Sequence, residues 1–180
     1  YFMVSTHREE NVDNPENLKK ILEVLNQLVE EYNIPVIVST HPRTRKRLEQ
    51  LNLSTSKLIN FLKPFGFSDY INLQKNALCT LSDSGTISEE SAMLSFPAIS
   101  LRQSMERPEA QDAGTIILTG FDPETVISAV RSTIEEHKQR KYKKIAEDYT
   151  ITDTSWRVLK LILGNAGLSN RWWGVEPRNK

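Results

Sequence analysis

The sequence predicts a doubly wound α/β domain, a parallel sheet with helices on both faces. Two observations carry this. Short runs that are apolar at every residue recur along the chain, which marks strands buried on both faces. Between them lie segments whose apolar residues are spaced by three and four, which marks helices with one face on a sheet. The chain contains no internal repeat, low-complexity tract or linker.

Taken in order, Phe2-Met3-Val4-Ser5 reads as the first buried strand. Asn14-Pro15 opens a helix, since Asn caps well and Pro suits the first turn. Leu18, Ile21, Leu22, Leu25, Leu28, Val29 and Tyr32 give it one apolar side. Ile34 to Ser39 is the second strand, Pro42 to Leu51 a basic helix, and Leu58 to Leu62 the third strand. A short helix from Ser68 to Asn76, capped by Ser68, leads to a fourth strand at Ala77 to Leu81. The turn Ser82-Asp83-Ser84-Gly85-Thr86 then feeds a helix ending at Leu94. Pro97 to Leu101 is the fifth strand, a short helix starts near Arg107-Pro108, and Thr115 to Leu118 is the next strand. Asp122-Pro123 caps a helix with Val126, Ile127, Val130 and Ile134 on one side, and a last helix runs from Thr154 to Leu163 before a Trp172-Trp173 tail.

Composition narrows the function classes. Lys+Arg and Asp+Glu both number 23, so the net charge is zero, which argues against nucleic acid as a partner because that needs a basic field. A small anion needs only a few placed donors and stays open. Cys79 is the only cysteine, so an internal disulfide and a cysteine zinc site are excluded, and its apolar surroundings mark a core thiol. The histidines lack metal-ligand spacing, and neither metal nor cofactor is expected. No run approaches the ~18 apolar residues that cross a bilayer. The chain opens on a strand-like run without an initiator Met or signal peptide, so it reads as a piece of a larger cytoplasmic protein.

In doubly wound sheets ligands sit beyond the carboxyl ends of the strands, so the residues there are the candidates. Thr6-His7-Arg8-Glu9-Glu10-Asn11 follows the first strand, either a phosphate contact or a solvated loop. His41, with Arg43, Arg45, Lys46 and Arg47 behind it, follows the second, where the basic residues read as a wet helix face. After the fourth strand, Gly85 permits a sharp turn and close ligand approach. Thr86 with Glu89 has capping-box spacing, so the helix start offers an anion site, or a plain turn. Glu90 is placed to accept from sugar hydroxyls or to sit on the surface. Arg107, held extended by Pro108, suits a phosphate.

Three ordered blocks resemble the carboxy-terminal domain of the non-hydrolysing UDP-N-acetylglucosamine 2-epimerases. They are Thr6 to Asn11, Asp83-Ser84-Gly85-Thr86-Ile87-Ser88-Glu89-Glu90, and Glu106-Arg107-Pro108-Glu109 with Ala113-Gly114-Thr115 after it. The resemblance implies a Rossmann-like half of a two-domain, B-type glycosyltransferase-like enzyme. Residues 1–165 would be the UDP-sugar domain and 166–180 a tail. It implies His7 on the diphosphate as the catalytic contact here, with Ser84, Gly85 and Thr86 binding it by backbone and hydroxyl donors. Glu90 would hold the ribose, Arg107 would lie near the phosphates, and Phe65 and Tyr70 would sit where uracil is contacted. The carboxylates acting on sugar C2 would come from a missing amino-terminal domain, and the whole enzyme would be a homodimer.

The family's usual Ser-Gly-Gly is Ser-Gly-Thr here, and Phe65 replaces a polar uracil contact. The Ser-Gly-Thr-Ile form and the tail from Asp148 to Trp173 are more similar to a capsule and O-antigen branch. Enzymes of that branch epimerise a UDP-2-acetamido-2,6-dideoxy-L-hexose to UDP-N-acetyl-L-fucosamine. A nucleotide-sugar glycosyltransferase, which shares the architecture, is the other alternative.

Overall fold

The computed structural model describes residues 1–51, 54–139 and 145–174. Its strands are β1 (Phe2–Ser5), β2 (Val36–Ser39), β3 (Ile59–Leu62), β4 (Thr80–Ser82), β5 (Ala98–Ser100) and β6 (Ile117–Leu118). They form one six-stranded sheet in the order β3-β2-β1-β4-β5-β6, and every neighbouring pair is parallel. The doubly wound expectation therefore holds. The chain winds outward from β1 through β2 to β3, then returns to place β4 on the other side of β1. That reversal opens the crevice where such sheets bind ligands. Ser5 of β1 stands opposite Ser82 of β4, so the loops leaving both strands rise side by side.

The helices are α1 (Glu9–Val12), α2 (Pro15–Tyr32), α3 (Pro42–Leu51), α4 (Phe67–Asn76), α5 (Ile87–Leu94), α6 (Pro108–Asp112), α7 (Pro123–Lys138), α8 (Thr154–Asn165) and α9 (Ser169–Trp172). Two starts read from sequence are realised by the expected caps. Asn14 Oδ1 accepts from the Glu16 and Asn17 amides, and Asp122 Oδ2 accepts from the Thr125 amide. Ser68 does not cap α4: the cap position is Gly66, with no side-chain cap bond, and Ser68 lies inside the first turn. Several strands are shorter than their apolar runs, with β2 beginning at Val36 rather than Ile34 and β4 at Thr80 rather than Ala77. Apolarity reports burial, whereas strand bounds report the hydrogen-bond ladder, and Pro35 has no N–H to donate to it.

One sheet face packs on α2 and α7. Phe2, Val4, Val36, Val38, Leu81 and Ile99 from the strands meet Leu25, Leu28, Val126 and Val130 from the helices, all at most 3% exposed. Each such side chain contributes about 1.5–3 kcal/mol by leaving water. Phe2 and Tyr32 meet edge to face, ring centres 5.0 Å apart. A smaller cluster of Ile87, Phe96, Ala98, Ala110 and Ile116 seats α5 and α6, which carry the turn and Arg107. Cys79 is fully buried, and burial pushes its thiol up to about 12. It is the inert core thiol expected.

The chain divides into compact units at Tyr1–Tyr149 and Thr150–Lys180. Within the second, α8 leaves Trp156, Leu161, Ile162 and Leu163 exposed. Residues 175–180 of the expected tail lie outside the described residues. No helix among the described residues is long and apolar enough to cross a membrane.

Candidate functional site

The loops leaving β1 and β4 are joined through a buried carboxylate. Asp83 is fully buried and accepts from the His7 amide (3.2 and 3.1 Å to its two oxygens), the Arg8 amide (3.0 Å) and Asn11 Nδ2 (2.8 Å). Two backbone N–H groups and a side-chain amide converging on one carboxylate are charge-assisted bonds, and they hold the β1 loop against the β4 turn. His7 is thereby fixed at the crevice with its side chain 53% exposed and Nδ1 3.5 Å from Asp83 Oδ1. Arg8 Nε donates to the Asp83 carbonyl at 2.9 Å, so its guanidinium leans over the turn.

The turn is internally braced. The Ser84 amide donates to Ser82 Oγ (3.1 Å) and the Thr86 amide to Ser84 Oγ (3.3 Å). Gly85 N–H has no partner among the described residues. The expected capping box does not form. Thr86 precedes α5 in a helical conformation with no side-chain cap bond, and its hydroxyl donates instead to Glu90 Oε1 at 2.7 Å. Glu89 is drawn away by an ion pair with Arg107. Nor does Gly85 serve a left-handed turn, since the positive-φ glycines are Gly114, Gly120 and Gly174. What it provides is room. A Cβ there would collide with Glu106 Oε2, stand 2.5 Å from Arg107 Nη1 and come within 3.6 Å of Arg102 Nη1.

A carboxylate and arginines therefore cover the turn. Glu106 Oε1 accepts from Arg102 Nη2 and Arg8 Nη2, both at 2.7 Å, and its Oε2 lies 3.6 Å from Arg107 Nη1. Arg102, then Arg8, hold the Glu106 carboxyl down at about 2. Arg107 stands at the cap position of α6 with φ −127° and ψ 76°; Pro108 keeps it out of the helical region, but ψ falls short of the extended backbone expected there. Three guanidinium groups, Gly85 and the amino end of an eight-residue helix therefore meet at the switch point, donors of the kind that suit an anion.

Glu90 is half-buried, held by Thr86 Oγ1 on one oxygen and Gln74 Nε2 (2.8 Å) on the other. Tyr70 is brought to the same floor. Burial raises its phenol, hydrogen bonds with Ser5 and Ser82 temper that, and the Glu90 and Asp83 carboxylates raise it further. Phe65 lies half-buried in the loop from β3 to α4, and no described hydrogen bond or ring contact ties it to the cluster. Sequence reasoning missed Asp83 as the tie between loops, and it missed Arg102, Glu106 and Gln74. His41 and His137 are exposed. No cluster of metal-ligating side chains occurs among the described residues.

The parallel sheet, its reversal between β1 and β4 and the guanidinium-lined glycine turn at that point define a Rossmann-like α/β domain. The chain belongs to the family described as UDP-N-acetylglucosamine 2-epimerase, whose sequence model matches residues 1–163. It is 42% identical over 147 residues to the UDP-N-acetylglucosamine 2-epimerase of Methanocaldococcus jannaschii, covering 79% of this chain and 40% of that protein. It also resembles the structure of UDP-N-acetylglucosamine 2-epimerase from Rickettsia bellii (TM-score 0.83, 42% identity, 96% of this chain and 47% of that one). The M. jannaschii enzyme in complex with UDP-GlcNAc and UDP superposes with a TM-score of 0.78 at 36% identity, over 91% of this chain and 45% of that one. The chain thus spans less than half the length of these relatives.

Proposed function

We propose that this chain is the UDP-binding half of a non-hydrolysing UDP-N-acetylglucosamine 2-epimerase. The reading rests on the convergence of Arg8, Arg102 and Arg107 over Gly85 at the β1/β4 crevice, in a chain alike to one solved with UDP-GlcNAc and UDP. The reaction removes the C2 proton and breaks the bond from C1 to UDP, giving a glycal. UDP then re-adds to C1 as the proton returns to the other face of C2. The leaving group is a diphosphate, so donors fixed before the bond breaks stabilise the charge that develops. Ser84, Gly85, Thr86, His7 and Arg107 have that task in this reading, Glu90 takes the ribose, and Phe65 and Tyr70 flank the uracil. The groups acting at C2 belong to an amino-terminal domain. The whole enzyme is a cytoplasmic homodimer serving cell-envelope polysaccharide synthesis.

The isolated chain is expected to bind UDP and not to epimerise. Incubation with UDP-N-acetylglucosamine followed by anomeric NMR tests this, and the manno epimer formed at a useful rate by the chain alone would overturn the division of labour. With the full-length enzyme, a free glycal separates epimerase from glycosyltransferase. Parallel incubation with UDP-2-acetamido-2,6-dideoxy-L-hexose tells whether Thr86, in place of the usual Gly, marks the L-fucosamine branch.

Glu90→Gln is expected to weaken UDP by roughly tenfold, since hydrogen bonds to a charged group contribute ~1.5–3 kcal/mol and ~1.4 kcal/mol is a decade. Inorganic pyrophosphate, which has no ribose, should bind as before. Arg107→Ala should weaken both ligands, less so as salt rises. Calorimetry with the two ligands reads this directly. A severalfold gain in pyrophosphate affinity for Glu90→Gln would put Glu90 against the phosphates instead.

A further inference from the structure

Gln74 is the only residue of α4 that is fully buried. An apolar side chain is the ordinary occupant of such a position, yet here a primary amide fills it. Its Nε2 donates to Glu90 Oε2 at 2.8 Å, while its Oε1 is buried with no hydrogen-bond partner among the described residues. A buried carbonyl left unpaired is costly, so a residue chosen for stability alone would not carry it. The other half of the amide meets a carboxylate from a different helix, 16 residues along the chain. With Thr86 Oγ1 on Glu90 Oε1, each oxygen of Glu90 has one donor, and the carboxylate plane is fixed from two sides. A carboxylate oxygen accepts two hydrogen bonds, so each keeps one acceptor position.

We propose that Gln74 is a positioning residue for nucleotide ribose recognition: its amide pins Glu90 so that the two remaining acceptor positions meet the two ribose hydroxyls together. This rests on the reading that Glu90 takes the ribose. A carboxylate free to rotate would satisfy one hydroxyl at a time and lose orientation entropy on binding. Gln74 touches no ligand in this arrangement; it acts through Glu90 alone.

The test is calorimetric titration of the chain with UDP, 2′,3′-dideoxy-UDP and inorganic pyrophosphate, alongside thermal melting. Gln74→Met keeps the length and volume of the side chain and removes both polar atoms, and Gln74→Leu serves as the second variant. Both are expected to melt no lower than the parent chain, because the unpaired carbonyl is gone. They are expected to bind UDP about fivefold more weakly, the scale of one hydrogen bond's ordering effect, with dideoxy-UDP and pyrophosphate unchanged. Equal weakening of UDP and dideoxy-UDP would show that Gln74 merely supports the fold, and would overturn the proposal. So would variants that retain the parent's full preference for UDP over dideoxy-UDP, in which case the ribose role of Glu90 stands. A parent chain that binds UDP and dideoxy-UDP equally would overturn both.

Discussion

Gly85→Val is expected to abolish measurable UDP binding, a loss of at least about a hundredfold (~2.7 kcal/mol), while the melting temperature moves by only a few degrees. The structure gives a sharper reason than turn geometry, because Gly85 has no left-handed backbone that would strain an L residue. Its Cβ would enter the space held by Glu106 Oε2 and Arg107 Nη1. Both are ends of flexible, partly exposed side chains, so the fold yields cheaply by moving them aside. The ligand has no such freedom. A diphosphate on the Gly85 N–H has to approach the same backbone that the branched side chain now covers. Gly85→Ala should give an intermediate loss. Calorimetry and a melting curve on the same preparation decide, and unchanged affinity in the valine variant would make the turn structural only.

Glu106 bears on how that loss is distributed. Its carboxylate holds Arg8 and Arg102 over the turn, so an incoming diphosphate meets guanidinium groups that already have an anionic partner. The net attraction is therefore less than three free arginines would supply, and the Gly85 N–H and the helix end matter correspondingly more. This is why the glycine, rather than any one arginine, is assigned the largest effect.

The elements legible in the sequence were those fixed by local chemistry. Asn14-Pro15 and Asp122-Pro123 announce their helices because a cap is satisfied within three residues. The apolar strands announce a parallel sheet because burial on both faces leaves no polar register. What stayed hidden is non-local. Arg8 and Glu106 are 98 positions apart and Asp83 and Asn11 are 72 apart, and no spacing rule connects them. Thr86 and Glu89 matched a capping box by spacing, but the box lost to partners the spacing does not show: Glu90 for the hydroxyl and Arg107 for the carboxylate. Gln74 was invisible for the opposite reason. A polar residue on a short helix reads as surface until the fold turns it inward.

Asp83→Ala should be the most destabilising single change at the crevice, about 3–5 kcal/mol, the scale of leaving several buried or part-buried donors unanswered together. The removed carboxylate serves the His7 amide, the Arg8 amide and Asn11 Nδ2 at once. Asn11 is 3% exposed, so its amide is left buried and unanswered, and each such donor costs about 1–3 kcal/mol. For a chain of this size that cost corresponds to a melting point lower by roughly 6–20 °C. Asp83→Asn should recover only part of it, because its amide presents one acceptor oxygen and one donor nitrogen to a site that supplies donors only. UDP binding should fall with stability in both variants, since the β1 loop carrying His7 and Arg8 loses its tie to the turn. Urea denaturation of the three proteins measures the order. A cost below about 1 kcal/mol for Asp83→Ala, typical of an exposed polar residue, would mean that the β1 loop is held by something other than this carboxylate.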